Sequence, residues 1–289
     1  MRISIETHFF SNDVSNLEAV RMIKEAGFDC FDLSFTRPMV ADNDLLGEDY
    51  RERALELRAY ADKLGIPCNQ AHAPFKLRYD DGISLENEKY VRLVRSIESA
   101  AIVGAESIVV HRIVVPDGVD VFEYNRKFYL SLLPYAEKFG IRIAVENLFD
   151  IDPETKKICG GFLADPKEHA EFVRSLGSPW FIICLDIGHS ALTGWAPEDA
   201  VRGQDPELCR AVHVHDNDRV ADRHVFPMSG IFNWDAVCRA FADMGYRGDM
   251  TLEVIGALAK ASLELMPDSL KYSAAVAREL VRKIEGFKA

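Results

Sequence analysis

The sequence contains no long apolar run, and this absence narrows the class of protein. No stretch approaches the roughly 20 apolar residues needed to cross a bilayer. The N-terminal segment MRISIETHFF carries charged residues where a signal peptide needs an apolar core. We therefore expect a soluble protein that works in the cytoplasm and does not associate with a membrane.

Closely spaced cysteine pairs are also absent. The six cysteines form no CxxC pair, and most lie in or beside apolar, strand-like runs. This distribution predicts reduced, mostly buried thiols and argues against both a disulfide framework and a zinc ribbon. The cysteines are Cys30, Cys68, Cys159, Cys184, Cys209 and Cys238.

The chain has fewer basic residues (34 Lys and Arg) than acidic ones (46 Asp and Glu). The formal net charge is -12 and the calculated pI is about 5.2. An acidic chain has no overall attraction for a polyanion. We therefore do not expect nucleic acid as a partner.

A repeated pattern does run along the chain: an amphipathic helical stretch, a glycine, a short connection and then a β-rich apolar run. It recurs in EAGFDCFDLSF, KLGIPCNQAHA, IVGAESIVVHR, KFGIRIAVEN, SLGSPWFIICLDIGH and DMGYRGDMTLEV. The glycine fits the left-handed position that ends a helix. These glycines are Gly27, Gly65, Gly104, Gly140, Gly177 and Gly245.

With the opening RISIETHF and the later RAVHVHDN, the pattern predicts eight strands. Their ranges are about 2–8, 30–35, 67–74, 107–112, 142–148, 181–189, 210–217 and 249–254. Eight such units in 289 residues predict an α/β fold, a (β/α)8 barrel forming one domain over 1–289. An open doubly wound sheet is the alternative, but no GxGxxG follows the first strand.

Histidines and acids gather at the predicted strand ends. In a parallel barrel all these ends meet on one rim. Buried carboxylates and imidazoles that converge are best satisfied by a cation, and mixed oxygen and nitrogen ligands suit Mn, Zn, Co or Fe. The acids are Glu146, Asp186 and Glu253; the histidines are His8, His72, His111, His189, His213, His215 and His224.

Other residues near the strand ends are candidates for substrate contacts. His8 could cap the pocket, as could Asp32. Asn147 and Asn217, each next to a candidate ligand, could hydrogen-bond either that ligand or the substrate. Basic residues that could bind an anionic group are Arg37, Lys76, Arg78, Arg112 and Lys156. Aromatic residues that could form walls against a sugar are Phe75, Phe149, Trp195 and Phe232.

At these residues the chain resembles the xylose isomerase-like TIM-barrel superfamily, which includes sugar isomerases and epimerases, inosose dehydratases and the endonuclease IV family. The resemblance spans nearly the whole chain. It is carried by HAPF (72–75), VVH (109–111), VEN (145–147), LDIGH (185–189), HVHDND (213–218), DRH (222–224) and LEV (252–254).

The similarity to ketose 3-epimerases implies one divalent ion held by Glu146, Asp186, His215 and Glu253. It further implies that the two glutamates move a proton through a metal-bound enediolate, and that His189 contacts a substrate oxygen. Two epimerase positions differ here. The second glutamate is Asp152, and the expected arginine is Ala221, which Arg219 and Arg223 flank.

The similarity to endonuclease IV implies a larger ligand set for a zinc cluster. After DRH, however, this chain reads VFPMSGIFNW and lacks a GEG-like stretch. We therefore favour an isomerase or epimerase of a small sugar or sugar phosphate, working as a homo-oligomer as many relatives do. The alternatives are a multi-zinc phosphoesterase, an inosose dehydratase-like lyase and a sugar-binding barrel without catalysis. The larger set adds His72, His111, His189, Asp222 and His224.

Overall fold

Eight parallel strands follow one another around a ring, as the repeated pattern predicts. The computed structural model describes residues 1–10, 14–36, 45–75 and 77–288. The barrel strands are β1 (Ile3–Ile5), β2 (Phe31–Ser34), β3 (Cys68–His72), β4 (Ser107–Val110), β5 (Arg142–Glu146), β8 (Phe181–Asp186), β9 (Cys209–His213) and β10 (Met250–Leu252). Two further strands, β6 (Phe149–Ile151) and β7 (Ile158–Gly160), lie outside the ring.

Helices connect the strands on the outside. They are α1 (Asn16–Glu25), α2 (Tyr50–Leu64), α3 (Glu88–Val103), α4 (Val121–Phe139), α5 (Pro166–Ser175), α6 (Ile187–Leu192), α7 (Pro197–Gly203), α8 (Trp234–Met244), α9 (Ile255–Leu258) and α10 (Met266–Lys288). All six glycines predicted to end helices have positive φ, which confirms that prediction. Among the described residues, no helix combines the length and apolar content that a membrane-spanning helix requires.

Single backbone bridges close the ring. Six strands form one parallel sheet from β2 to β9, and β1 pairs with β10 separately. Glu6 bridges to Asp32 on one side, and Val214 bridges to Leu252 on the other. The predicted (β/α)8 barrel is therefore confirmed.

Two details differ from the predicted elements. The strand predicted over 181–189 ends at Asp186, because the Asp186 carboxylate accepts a hydrogen bond from the backbone N–H of His189 (2.6 Å) and starts α6. The long connection after β5 contains the antiparallel hairpin β6–β7, which is not among the eight predicted strands. A three-residue strand beside polar loop residues gives too short a periodic signal to detect.

The inside of the barrel is closed by small apolar side chains on one half of the ring. Val109, Ala144, Ile182, Cys184 and Ala211 form a separate buried cluster. Because side chains alternate along a strand, the residues two positions further on face the same way. Those residues are His111, Glu146, Asp186 and His213. The apolar cluster therefore lies directly beneath the strand-end acids and histidines.

Candidate metal centre

Four titratable side chains from four barrel strands meet at the carboxyl end of the ring. The nearest ligand atoms of Glu146, Asp186, His213 and Glu253 all lie within 4.8 Å of one another. His213 Nδ1 lies 3.0 Å from Glu146 Oε1, 3.2 Å from Glu253 Oε2 and 3.9 Å from Asp186 Oδ2. We call these four residues the quartet.

The quartet has the chemistry of a cation site. Glu146 Oε2, Asp186 Oδ2 and Glu253 Oε2 are buried oxygens without a hydrogen-bond partner in the described residues. A buried carboxylate oxygen that lacks a partner is costly, and a bound cation removes that cost. Three carboxylates gathered around the His213 imidazole therefore fit a divalent ion of the Mn, Zn, Co or Fe type.

The charges of the metal-free site balance one another. Burial alone would raise the pKa of Asp186, but His189 and His215 outweigh it and lower the pKa to about 2. Burial alone would lower the pKa of His72, but Glu146 raises it to about 9. At neutral pH Asp186 therefore stays ionised and His72 stays protonated, and a metal ion bound by His72 would have to displace its proton.

The Nε2 atom of His213, on the side of the ring away from Glu146, contacts Gln70. The Gln70 amide nitrogen lies 2.9 Å from His213 Nε2 and donates to Asp32 Oδ2 at 2.7 Å. With the amide in this orientation, His213 Nε2 accepts and Nδ1 carries the proton that faces Glu146. Ligation through Nδ1 would place the proton on Nε2, and the Gln70 amide would then have to turn its oxygen toward that proton to accept it.

His215, which the resemblance assigned to the metal, lies behind the quartet. Its Nε2 is 3.2 Å from Asp186 Oδ1, and its Nδ1 faces the Asp216 carbonyl at 3.4 Å. The Gly188 backbone packs so closely that a Cβ there would be 2.0 Å from the His215 ring. His215 is thus a buried partner of Asp186, and it also forms a further group with His224 and Glu253, whose ligand atoms lie within 4.8 Å of one another.

A second group lies beside the quartet. His189, Asp222 and His224 also place ligand atoms within 4.8 Å of one another. His224 Nε2 is 2.9 Å and His189 Nε2 is 3.6 Å from Asp222 Oδ2. Asp222 Oδ1 is buried and has no hydrogen-bond partner in the part of the chain that the structure describes. This second group can hold a cation by the same reasoning.

The backbone that carries the second group is tightly constrained. His224 has a left-handed φ of 44°, and its Nδ1 lies 2.9 Å from the Glu253 carbonyl. A Cβ on Gly256 would lie 1.8 Å from the Arg223 carbonyl oxygen. Only glycine at 256 allows this approach, so His224 is fixed in place before any metal binds.

His72 and His111 approach Glu146 from the other side. His111 Nε2 lies 2.7 Å and His72 Nε2 lies 3.7 Å from Glu146 Oε2. Burial lowers the pKa of His111. Glu146 therefore lies between His213 and these two histidines. One of its oxygens faces His213 and the other faces His111.

The site opens into a cavity of about 510 Å³. Its polar lining includes Glu146 and Glu253 as well as members of the second group. Asp186, His213 and His215 lie behind this lining and are buried. A small ligand in the cavity can therefore touch two carboxylates of the quartet directly.

The predicted substrate contacts separate into two sets. His8 and His189 line the cavity, as do Phe75, Phe149 and Arg112. Beneath His8 lies the buried acid Glu6, whose pKa is raised to about 8 by burial and by the nearby charge of Glu253. Residues that do not line it are Asp32, Arg78, Asn147, Lys156, Trp195, Asn217, Arg219 and Phe232.

Asn147 takes one of the two roles predicted for it, a hydrogen bond to a neighbouring ligand residue. Its amide accepts from the Asp186 N–H (2.8 Å) and donates to the Asp186 carbonyl (2.9 Å) and to Ser190 Oγ (3.1 Å). The side chain therefore fixes Asp186 and has no donor left for a substrate. Trp195 and Arg219 lie away from the cavity. Arg37 and Lys76 lie outside the described residues.

Asp216 is a functional residue that sequence reasoning missed. This buried carboxylate accepts from the backbone N–H groups of Met228, Ile231 and Phe232 and from Trp234 Nε1 (2.7 Å). It thereby folds the connection that carries Asp222 and His224. Asp216 belongs to the HVHDND motif. From the sequence alone, an acid that holds a loop in place cannot be told from an acid that binds a metal ion.

Comparison with known proteins agrees with this architecture. Residues 20–276 match the model of a family described as the xylose isomerase-like TIM barrel. Uncharacterized protein y4fM of Sinorhizobium fredii is 26% identical over 58% of this chain, which spans about half (53%) of that relative. Uncharacterized protein Mb0509 of Mycobacterium bovis is 25% identical over 78% of this chain and 84% of its own length.

Solved structures share the fold across the full chain. A D-tagatose 3-epimerase-like protein has a TM-score of 0.77 at 20% identity, covering 100% of both chains. A D-psicose 3-epimerase crystallised in the presence of D-fructose has a TM-score of 0.75 at 16% identity, also covering 100% of both. The IolI protein with a bound zinc atom has a TM-score of 0.70 at 17% identity, covering 99% of both chains.

Proposed function

The chain belongs to the xylose isomerase-like TIM barrel family, and from that premise we propose that it is a metal-dependent isomerase or epimerase of a small sugar or sugar phosphate. One observation carries the proposal. Glu146 and Glu253 line the same cavity, and each has a buried oxygen without a hydrogen-bond partner in the described residues. Two such carboxylates are suited to take a proton from a carbon beside a carbonyl and to return it.

The positions of the two glutamates suit the removal of a proton by one and its return by the other. Glu146 ends β5, whereas Glu253 follows β10, so they approach the cavity from separate arcs of the ring. Glu253 has 10% of its side chain exposed and Glu146 only 1%. We assign proton exchange with the substrate to both, because one fixed carboxylate cannot reach both faces of a carbon atom.

The residues that would hold the ion are Glu146, Asp186, His213 and Glu253. When bound, a divalent ion would stabilise negative charge that develops on the substrate oxygens. His215 and Asn147 would then keep Asp186 in position, and His189 would present an imidazole to the substrate from the cavity wall.

Solvent-deuterium exchange tests the proposal. Metal-loaded protein in D₂O should place deuterium on the carbon beside the carbonyl of a ketohexose. NMR measures the rate at which the deuterium is incorporated. Glu253→Gln should slow this exchange at least about a hundredfold per bound metal ion, whereas Glu56→Gln, on the outer helix α2, should leave it unchanged. Undiminished exchange by a metal-loaded Glu253→Gln variant would contradict the assignment.

The second group of ligands supports a second candidate, a multi-zinc phosphoesterase. Its support is the buried, unpartnered Asp222 Oδ1 beside His189 and His224. This candidate requires two or three zinc ions per chain and cleavage of an oligonucleotide with an abasic site. One ion per chain and an intact oligonucleotide would exclude it.

A further inference from the structure

The cavity is polar at its floor and apolar at its mouth. The floor presents carboxylates and imidazoles, which suit a polyhydroxylated carbonyl group. Around the mouth stand six apolar side chains from four different connections: Phe75, Val114, Leu148, Phe149, Ile151 and Ile255. A ligand that fills the cavity therefore meets two surfaces of different chemistry.

Three of these side chains are exposed to water. The exposed fraction is 64% for Val114, 60% for Ile151 and 43% for Phe75. A single exposed apolar residue is common and needs no explanation. Here, however, three of them from separate connections border one concave site, which is typical of a surface that a ligand covers.

The apolar side chains at the mouth are already ordered by contacts within the protein. Phe75 stacks on the His111 ring with centroids 4.8 Å apart and planes inclined by 15°. Ile151 pairs with Ile158 in the β6–β7 hairpin, and Arg112 forms an ion pair with Asp150 of the same hairpin. Since these contacts already order the surface, a ligand would lose little binding free energy in organising it.

We propose that the natural substrate carries an apolar substituent, such as the aglycone of a glycoside whose sugar ring keeps a free ketone, and that Phe75, Val114 and Ile151 bind this substituent. The inference rests on the proposed function, because it concerns the same cavity. A small free sugar held at the floor would leave Val114 and Ile151 in water. A substituent that reaches the mouth would cover them and gain the free energy of apolar burial.

Matched glycosides test this inference by calorimetry on the metal-loaded protein. Each of several sugars with a ketone on the ring is measured as its methyl and its phenyl glycoside, which differ only in the substituent. We expect at least one phenyl glycoside to bind about tenfold more tightly than its methyl partner. The double substitution Val114→Ser and Ile151→Ser should bring that ratio close to one, whereas Leu55→Ser, equally exposed on α2, should leave it unchanged.

Two results would overturn the inference: no phenyl glycoside binds more tightly than its methyl partner, or the ratio survives the double substitution. Because Val114 and Ile151 are already exposed, the double variant should stay folded, which a thermal melt checks. The inference and the proposed function fail separately. Loss of the phenyl preference with intact deuterium exchange into free ketohexoses removes only the inference, and the opposite pattern removes only the proposed function.

Discussion

His213 Nδ1 lies 3.0 Å from Glu146 Oε1, so that β9 and β5 are joined across the top of the barrel by one imidazole and one carboxylate. The same nitrogen is 3.2 Å from Glu253 Oε2. A cation that replaced the proton on this nitrogen would have all four members of the quartet around it. His213 is therefore central to the proposed site.

His213 and His215 should differ in their effect on metal binding. His213→Asn removes a quartet member, and we expect the metal Kd to rise about a hundredfold or more. His215→Asn leaves the quartet complete and removes a partner of Asp186, for which an increase of about tenfold is typical. Isothermal titration with Zn²⁺ measures both values, and His8→Asn serves as the control. Greater loss in the His215 variant would restore the assignment that the family resemblance implied.

Gln70 should tune the quartet without touching the ion. Gln70→Met keeps the volume but removes the group that faces His213 Nε2 and Asp32. We expect about a tenfold weaker affinity for Co²⁺ and a shifted absorption spectrum of the bound Co²⁺. Gln70→Glu supplies an acceptor for the proton on Nε2 and should recover part of the affinity. Identical spectra for wild type and Gln70→Met would argue against this role.

Gly256 should control the second group alone. Alanine at 256 would meet the Arg223 carbonyl oxygen at 1.8 Å and displace the segment that carries Asp222 and His224. If two ions bind per chain, both Gly256→Ala and Asp222→Asn should reduce the number to one. Gly286→Ala is the matched control, because no atom lies within 4 Å of a Cβ there. Metal analysis by mass spectrometry reads the stoichiometry, and two ions retained in Gly256→Ala would refute the prediction.

The stability of the metal-free protein should fall as the pH rises. Burial alone would lower the pKa values of His72 and His224, yet Glu146 raises the first to about 9, and Glu253 with Asp222 raises the second to about 10. Because these folded pKa values exceed the ordinary value of 6.5, their stabilisation is complete below pH 6.5 and is lost toward pH 9–10.

A metal ion binds the neutral imidazoles and should offset this loss. The difference in Tm between metal-loaded and chelator-treated protein should therefore widen between pH 6.5 and about 9. Differential scanning fluorimetry at constant ionic strength measures it. A difference that stays constant or shrinks with pH would show that these histidines do not carry the protons.

The barrel could be predicted from the sequence because its signal is periodic. Glycines such as Gly65 and Gly140 end helices with positive φ, and each is followed by an apolar strand. Strand ends converge in any parallel barrel, so the gathering of Glu146, Asp186 and Glu253 followed from topology. The family resemblance is likewise confirmed by the match over residues 20–276.

The choice between His213 and His215 could not be made in the same way. Both residues share a face of one strand, and alternation alone does not separate them. The distinction depends on Gln70 beneath His213 and on Gly188 packed against His215, which are contacts between distant strands. The hydrogen bonds of Asn147 and Asp216 were hidden for the same reason.

The most direct test of the quartet is anomalous diffraction from crystals soaked in Zn²⁺. We predict a peak at about 2.0–2.2 Å from oxygens of Glu146, Asp186 and Glu253 and from Nδ1 of His213. A peak coordinated by His215 in place of His213, or no peak among these four residues, would contradict the account.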